Sequence, residues 1–267
     1  MEYANEPIER ETRAEQAYMA AYRARMYRML SSVFAFAPTE TELRDTIAAL
    51  RFADPDDCVR PSEHELLVYL RSLDGVPTDE LRTRIATEYA ELFVGPRPPL
   101  APPYESLYLG YPQRLFSETT AQVRAFYERC GWTVQRRNRI PDDSIAFELE
   151  FLARLCEQEY AALDGEDSAA AKALADDERV FIATHIGQWA GSFADRIAAA
   201  WCADYYAAWS RFVVAFLTED ATYLQPPAAG PTCSAQLCTA MDVASKSPSA
   251  AGAACCARPA SDRGENS

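Results

Sequence analysis

The sequence predicts an all-α fold, a single-domain helical bundle, and three observations carry that prediction. Apolar residues recur at the three- and four-residue spacing of one helix face through most of the chain. Proline, glycine and Ser/Thr/Asp signals punctuate these stretches where helices begin and end. No stretch shows period-two alternation closed by hairpin chemistry. With 49% hydrophobic and 25% charged residues, the 267-residue chain has ordinary globular composition, which suits one large domain with a tail.

The first helix is read from about Ile8 to Phe36, with Tyr18, Tyr22, Met26, Met29, Leu30, Val33 and Phe34 as one broad stripe that Pro38 ends. Thr39-Glu40-Thr41-Glu42 is a capping box and opens a second helix, with Leu43, Ile47 and Leu50 inward. Pro61-Ser62-Glu63 starts a third, carrying Leu66, Leu67, Leu70 and Leu73 until Asp74-Gly75. Pro77-Thr78-Asp79 starts a fourth, which presents Leu81, Ile85, Tyr89 and Leu92.

A loop from Leu92 to Tyr108 follows, rich in proline yet also in leucine, phenylalanine and tyrosine. Proline excludes it from helix interiors and central strands, and long apolar loops in compact domains are usually functional. Ser117 is read as the cap of a helix to Cys130, with Gly131 beyond its end. After the basic connector Arg136-Arg137-Asn138-Arg139, Pro141-Asp142-Asp143-Ser144 opens the most regular helix, with Ile145, Leu149, Leu152, Cys156 and Tyr160 as its ladder. One stretch from Ala169 places Phe181, Ile182, His185, Ile186, Trp189, Phe193 and Ile197 along a side. The last helix carries Tyr205, Tyr206, Trp209, Phe212, Val213, Phe216 and Leu217 and fades by Asp220. The helical domain is assigned to residues 1–224. Residues 225–267, rich in Pro, Ala and Ser and poor in large apolar side chains, are read as a disordered tail.

A net charge of −14 argues against a nucleic-acid surface and favours either plain solubility or a basic partner. The start lacks the basic and apolar regions of a signal peptide, and no apolar run reaches bilayer-spanning length, so the chain reads as cytoplasmic, without stable membrane insertion. Cys58, Cys130, Cys156 and Cys202 are scattered through helical sequence, while Cys233, Cys238, Cys255 and Cys256 lie in the tail. With no C-x-x-C spacing and only His64 and His185 as histidines, no metal site is assigned; a redox- or metal-sensing role for the tail thiols is an alternative.

Asp142, Asp143, Glu148 and Glu150 are the one acidic group that invites chemistry, as general acid and base or as ligands for a divalent metal. Proline followed by two aspartates is also what a helix N-terminus wants. Glu148 falls near the apolar face and Glu150 away from it, so the set does not converge without another element. The capping reading is preferred, no catalytic residues are assigned, and a carboxylate-based metal-dependent hydrolase is the low alternative. His185, on an apolar stripe beside Trp189, is read as a hydrogen-bonded core residue. Phosphate-loop, dinucleotide-binding and nucleophile-elbow motifs are absent.

Glu88-Tyr89, Leu92-Phe93-Val94-Gly95-Pro96 and Pro102-Pro103-Tyr104-Glu105-Ser106-Leu107-Tyr108 together resemble the signature loop of the TorD/DmsD/NarJ chaperone family. The segment from Pro141 to Phe151 is similar to that family's second motif, and the Phe181 to Phe193 run to its third. The resemblance implies a cytoplasmic chaperone, without enzymatic activity or a cofactor of its own. It would bind the twin-arginine signal peptide and the apo-form of a molybdopterin oxidoreductase of the DMSO or TMAO reductase kind. That binding would delay export until the molybdenum cofactor is inserted. A NarJ-type assembly chaperone for a non-exported or membrane-anchored reductase is the runner-up. The resemblance implies a partner-binding region of Tyr89, Leu92, Phe93, Tyr104, Glu105, Tyr108, Pro141, Asp142, Asp143 and Ser144. Ser144 stands where the family usually has histidine. On this reading Leu92 and Phe93 meet the peptide's apolar segment, and Asp142, Asp143 or Glu105 meet its arginines.

Overall fold

Nine α-helices form among the described residues, which in this computed structural model are 6–50, 61–135 and 140–225. They are α1 (Glu6–Ala35), α2 (Glu40–Leu50), α3 (Pro61–Ser72), α4 (Thr78–Tyr89), α5 (Glu118–Arg129), α6 (Ile145–Asp164), α7 (Ser168–Thr184), α8 (Ile186–Ala198) and α9 (Tyr205–Tyr223). The all-α expectation holds. The tail expected from residue 225 falls on 226–267, outside the described residues.

The helices pack on an apolar core, with α1 lying along α6 as the most extensive pairing, α6 against α7, and α8 against α9. Tyr27, Leu30, Ile145, Leu149, Leu152, Trp189 and Tyr206 are fully enclosed there. Burial of such side chains stabilises by about 1.5–3 kcal/mol each before chain entropy is charged against it. On α1 the inward face differs from the stripe read in sequence. Tyr18 and Met29 are exposed, whereas Ala20, Arg23 and Tyr27 face inward. Tyr160, expected in the α6 ladder, is likewise exposed.

Local signals set several boundaries as read. The Thr39 backbone N–H donates to Glu42 Oε2 at 2.7 Å, and the Glu42 N–H donates back to Thr39 Oγ1 at 3.3 Å, a complete capping box. Gly131 takes φ +82 beyond α5. Ser117 flanks α5, but its hydroxyl makes no capping bond. The stretch from Ala169 is two helices rather than one, broken at His185 (φ −125, ψ −103). Gly187 permits the break, since a Cβ there would lie 2.4 Å from the Ile182 carbonyl oxygen. α4 continues into one π-helical turn, Ala90–Val94, a local widening often found at functional places. Gly95 then turns the chain at φ +104, where an added Cβ would strike the Arg97 carbonyl oxygen at 2.4 Å.

Candidate functional site

The proline-rich loop is fastened at both ends by backbone bonds. The Leu100 and Ala101 N–H groups donate to Glu91 and Leu92 carbonyls at 3.1 and 2.9 Å, so the loop folds back along the π turn. Further on, Tyr104 pairs with Ser144 in an isolated antiparallel bridge. Around it the Glu105 N–H donates to the Asp143 carbonyl at 2.9 Å, and the Ile145 N–H to the Pro103 carbonyl at 3.0 Å. The loop and the start of α6, about forty positions apart, therefore form one unit.

Asp143 explains why two aspartates precede α6. Its Oδ2 accepts from the Ser106 backbone N–H at 2.7 Å, capping the 3₁₀ turn Glu105–Leu107 of the loop rather than α6. Ser144 occupies the N-cap of α6 without a side-chain cap bond. Asp142 pairs with Arg124 of α5, the Nε lying 2.5 Å from Oδ2, and its carbonyl accepts from the Tyr127 hydroxyl at 3.2 Å. Glu88 does for α9 what Asp143 does for the loop, accepting from the Tyr205 and Tyr206 N–H groups at 3.2 and 2.7 Å.

The expected binding residues lie largely within the fold. Leu92, Phe93, Glu105, Pro141, Asp142, Asp143 and Ser144 are all buried, and Tyr89, Tyr104 and Tyr108 are half-buried. Phe93 sits in an aromatic group with Tyr206 (5.0 Å), Tyr89 (5.3 Å) and Phe193 (5.9 Å). The Tyr89 hydroxyl donates to the Ala35 carbonyl at 2.8 Å. The Tyr108 ring lies on Trp189 at 5.2 Å. Hydrophobic area and internal carboxylate partners hold these residues inward, so none of the ten stands as a free surface group.

Convergence of carboxylates occurs here through other elements. Glu148 of α6 is fully buried and accepts from Trp189 Nε1 at 3.2 Å. Glu105 comes to it from the loop, and His185 Nδ1 lies 3.1 Å from Glu105 Oε1. Burial pushes the Glu148 carboxyl well above the ordinary range, with Glu105 and then Asp143 adding to it. His185 is a buried, hydrogen-bonded residue, as its apolar stripe suggested. Among the described residues no group of three or more His, Cys, Asp or Glu is placed to hold a metal ion.

Two features escaped the sequence reading. One is a cleft of about 490 Å³ between the end of α1, the segment after α5 and α6. Phe36, Trp132, Val134, Ile140, Phe147 and Phe151 line its apolar part. Phe36 is 71% exposed and the Trp132 indole N–H is buried without an acceptor. On one rim Glu150 meets Arg154 at 2.8 Å, and Arg28 and Glu157 extend the chain of ion pairs beyond it, with Arg28–Glu150 at 3.2 Å. The exposed Phe36 was the available hint.

The other is a buried ionic group around Arg23 of α1, only 1% exposed. Its guanidinium donates to Glu159 of α6 at 2.8 Å, to Asp220 of α9 at 2.5 Å and to Glu178 of α7. The Tyr27 hydroxyl adds a bond to Asp220 at 2.5 Å, and Cys156 Sγ contacts Glu178 at 3.5 Å.

Comparison with known proteins gives this geometry a family. A profile described as nitrate reductase delta subunit matches residues 42–195, more than half of the chain and both segments that the Tyr104–Ser144 bridge joins. The chain belongs to the TorD/DmsD/NarJ family. Its members are redox-enzyme maturation chaperones rather than enzymes. Similar curated proteins named chaperone protein TorD include one from Shewanella pealeana, 25% identical over 76% of this chain and 90% of that protein. One from Vibrio vulnificus is 27% identical over 76% of this chain and 94% of its own length. One from Vibrio cholerae is 28% identical over 74% and 90% respectively. Among the described residues no helix is long and apolar enough to cross a membrane.

Proposed function

We propose that this chaperone works in the cytoplasm, where it binds the twin-arginine signal peptide and the body of an apo molybdopterin oxidoreductase and delays export until the molybdenum cofactor is in place. The observation that carries this reading is the apolar cleft. It takes Phe147 and Phe151 from the family's second motif and offers aromatic surface to an apolar peptide segment. Asp142, Asp143 and Glu105 are buried and consumed internally, so we assign the peptide's arginines to the half-exposed Glu150 of the rim and its neighbour Glu157, where they would exchange with Arg28 and Arg154. There, bidentate hydrogen bonding favours arginine over lysine. The proline-rich loop and Asp143 act as the scaffold that holds the α6 side of the cleft.

Calorimetry with a twin-arginine peptide tests the assignment. Trp132→Ala and Phe147→Ser are expected to weaken binding about tenfold or more with helical content unchanged, as loss of well-packed aromatic anchors does. Glu150→Gln with Glu157→Gln is expected to remove most of the salt dependence while leaving apolar affinity. Unchanged affinity in the aromatic variants would place the peptide elsewhere. The family profile's nitrate reductase description favours a second reading, assembly of a non-exported or membrane-anchored reductase. Binding of a client body without any signal peptide would select it.

A further inference from the structure

The ion pairs beside the apolar cleft close into a ring. Arg154 Nε donates to Glu150 Oε1 at 2.8 Å, and its Nη1 lies 3.4 Å from Glu157 Oε2. Arg28, across the helix contact on α1, donates to Glu150 Oε1 at 3.2 Å and also bonds Glu157. Each guanidinium therefore spans both carboxylates, so an arginine from outside reaches either acid only by displacing one already there. All four side chains are between 33% and 42% exposed, and ion pairs this open to water contribute little to stability. Nor does the ring hold α1 on α6. Ser31 Oγ donates to the Ala146 carbonyl at 2.8 Å, Arg23 meets Glu159 in the interior, and Tyr27 and Leu30 are enclosed in the core that the two helices share. Arg154 has a second contact: it lines the cleft, with its guanidinium carbon 5.6 Å from the centre of the Trp132 ring.

We propose that Arg28 and Arg154 are built-in competitors that hold, in the free chaperone, the places the peptide's arginines take in the complex. The inference rests on the peptide assignment above and adds a regulation to that site. An incoming guanidinium reproduces the forked hydrogen bonds that a departing one gives up, so it can take the place. Its gain is reduced by the pairs it breaks, and affinity stays below what two free carboxylates would give. Arg154 leaves the Trp132 ring in the same exchange, which frees aromatic face for the apolar segment. One side chain thereby couples recognition of arginine to recognition of the apolar segment.

Calorimetry on the full chain tests this, with a peptide bearing an arginine pair before an apolar segment and with its glutamine-pair counterpart. Arg28→Gln with Arg154→Gln is expected to tighten binding of the arginine peptide at least about threefold, since two exposed pairs no longer have to be broken. Each single variant is expected to give part of that gain, and the glutamine-pair peptide to bind as it does to wild type. Arg82→Gln with Arg211→Gln makes the same charge change at exposed positions of α4 and α9 and is expected to follow wild type. Adding Glu150→Gln and Glu157→Gln to the Arg28 and Arg154 variant is expected to abolish the gain. Equal or weaker binding by that variant, an equal gain in the Arg82 and Arg211 control, or the same gain for the glutamine-pair peptide overturns the inference. If Trp132→Ala weakens binding in the same series, only the competitor role falls. Trp132→Ala binding as tightly as wild type removes the cleft assignment and the competitor role with it.

Discussion

Arg23 shows how much one side chain can decide. Among the described residues it is the cation that Glu159, Glu178 and Asp220 share, so its removal strands three buried acids. Breaking a buried pair from one side costs about 3–5 kcal/mol, and Arg23→Leu is expected to lose at least that much in urea unfolding. Nothing local in the sequence marks Arg23. One arginine among the five of a long helix reads as solvent-facing, and its partners lie 136, 155 and 197 positions away. His185 was easier, because an isolated histidine on an apolar stripe beside a tryptophan has few places to be except inside. Leu92 obeyed its helical period and went to the core, although the loop that follows it looked like surface.

At the scale of elements, boundaries were legible where a cap or a glycine announced them and illegible where the apolar rhythm ran on unbroken. The capping box at Thr39 is an example of the first, and the break between α7 and α8 of the second. Ile182, Ile186 and Trp189 keep helical spacing across His185, and only Gly187 betrays the change. Two glycines of α8 give a paired test by thermal unfolding. Gly187→Ala drives a methyl group to 2.4 Å from the Ile182 oxygen and is expected to destabilise by about 1–3 kcal/mol. Gly191→Ala meets nothing within 4 Å and is expected to stabilise by about 0.5–1 kcal/mol through helix propensity. The motif at Pro141 reads as the cap of α6, yet no side chain caps that helix. Asp143 instead serves a loop turn across space, and Asp142 pairs with Arg124.

For the molecule as a whole, buried acids set the response to pH. Burial pushes the Glu178 carboxyl up to about 8; Arg23 opposes that rise, and Glu159 and Asp220 add to it. Between the ordinary carboxylate value of about 4.3 and that raised value, the folded chain holds a proton that the unfolded chain releases. Its contribution to stability is therefore full below the ordinary value and is lost as pH rises through the window. Urea midpoints measured from pH 5 to pH 8 are expected to fall, and Glu178→Gln to make the fall shallower. Glu88, Glu148 and Glu159 are raised as well and act in the same direction, so the slope does not vanish. Composition could not reveal this, since −14 counts charges without saying which are internal.

The bond from Arg23 to Asp220 also carries a clock. During synthesis at about 5–20 residues per second, the 197 positions between them correspond to on the order of ten to forty seconds. For that interval the nascent chain holds an arginine destined for the interior while its last anionic partner has not yet been made. The helix that brings Asp220 also receives its cap from Glu88 and covers α3 and α8. The interior therefore closes from its far end, after translation has delivered α9. A protein whose family attends other proteins before they finish maturing must itself wait until nearly all of its own bundle exists.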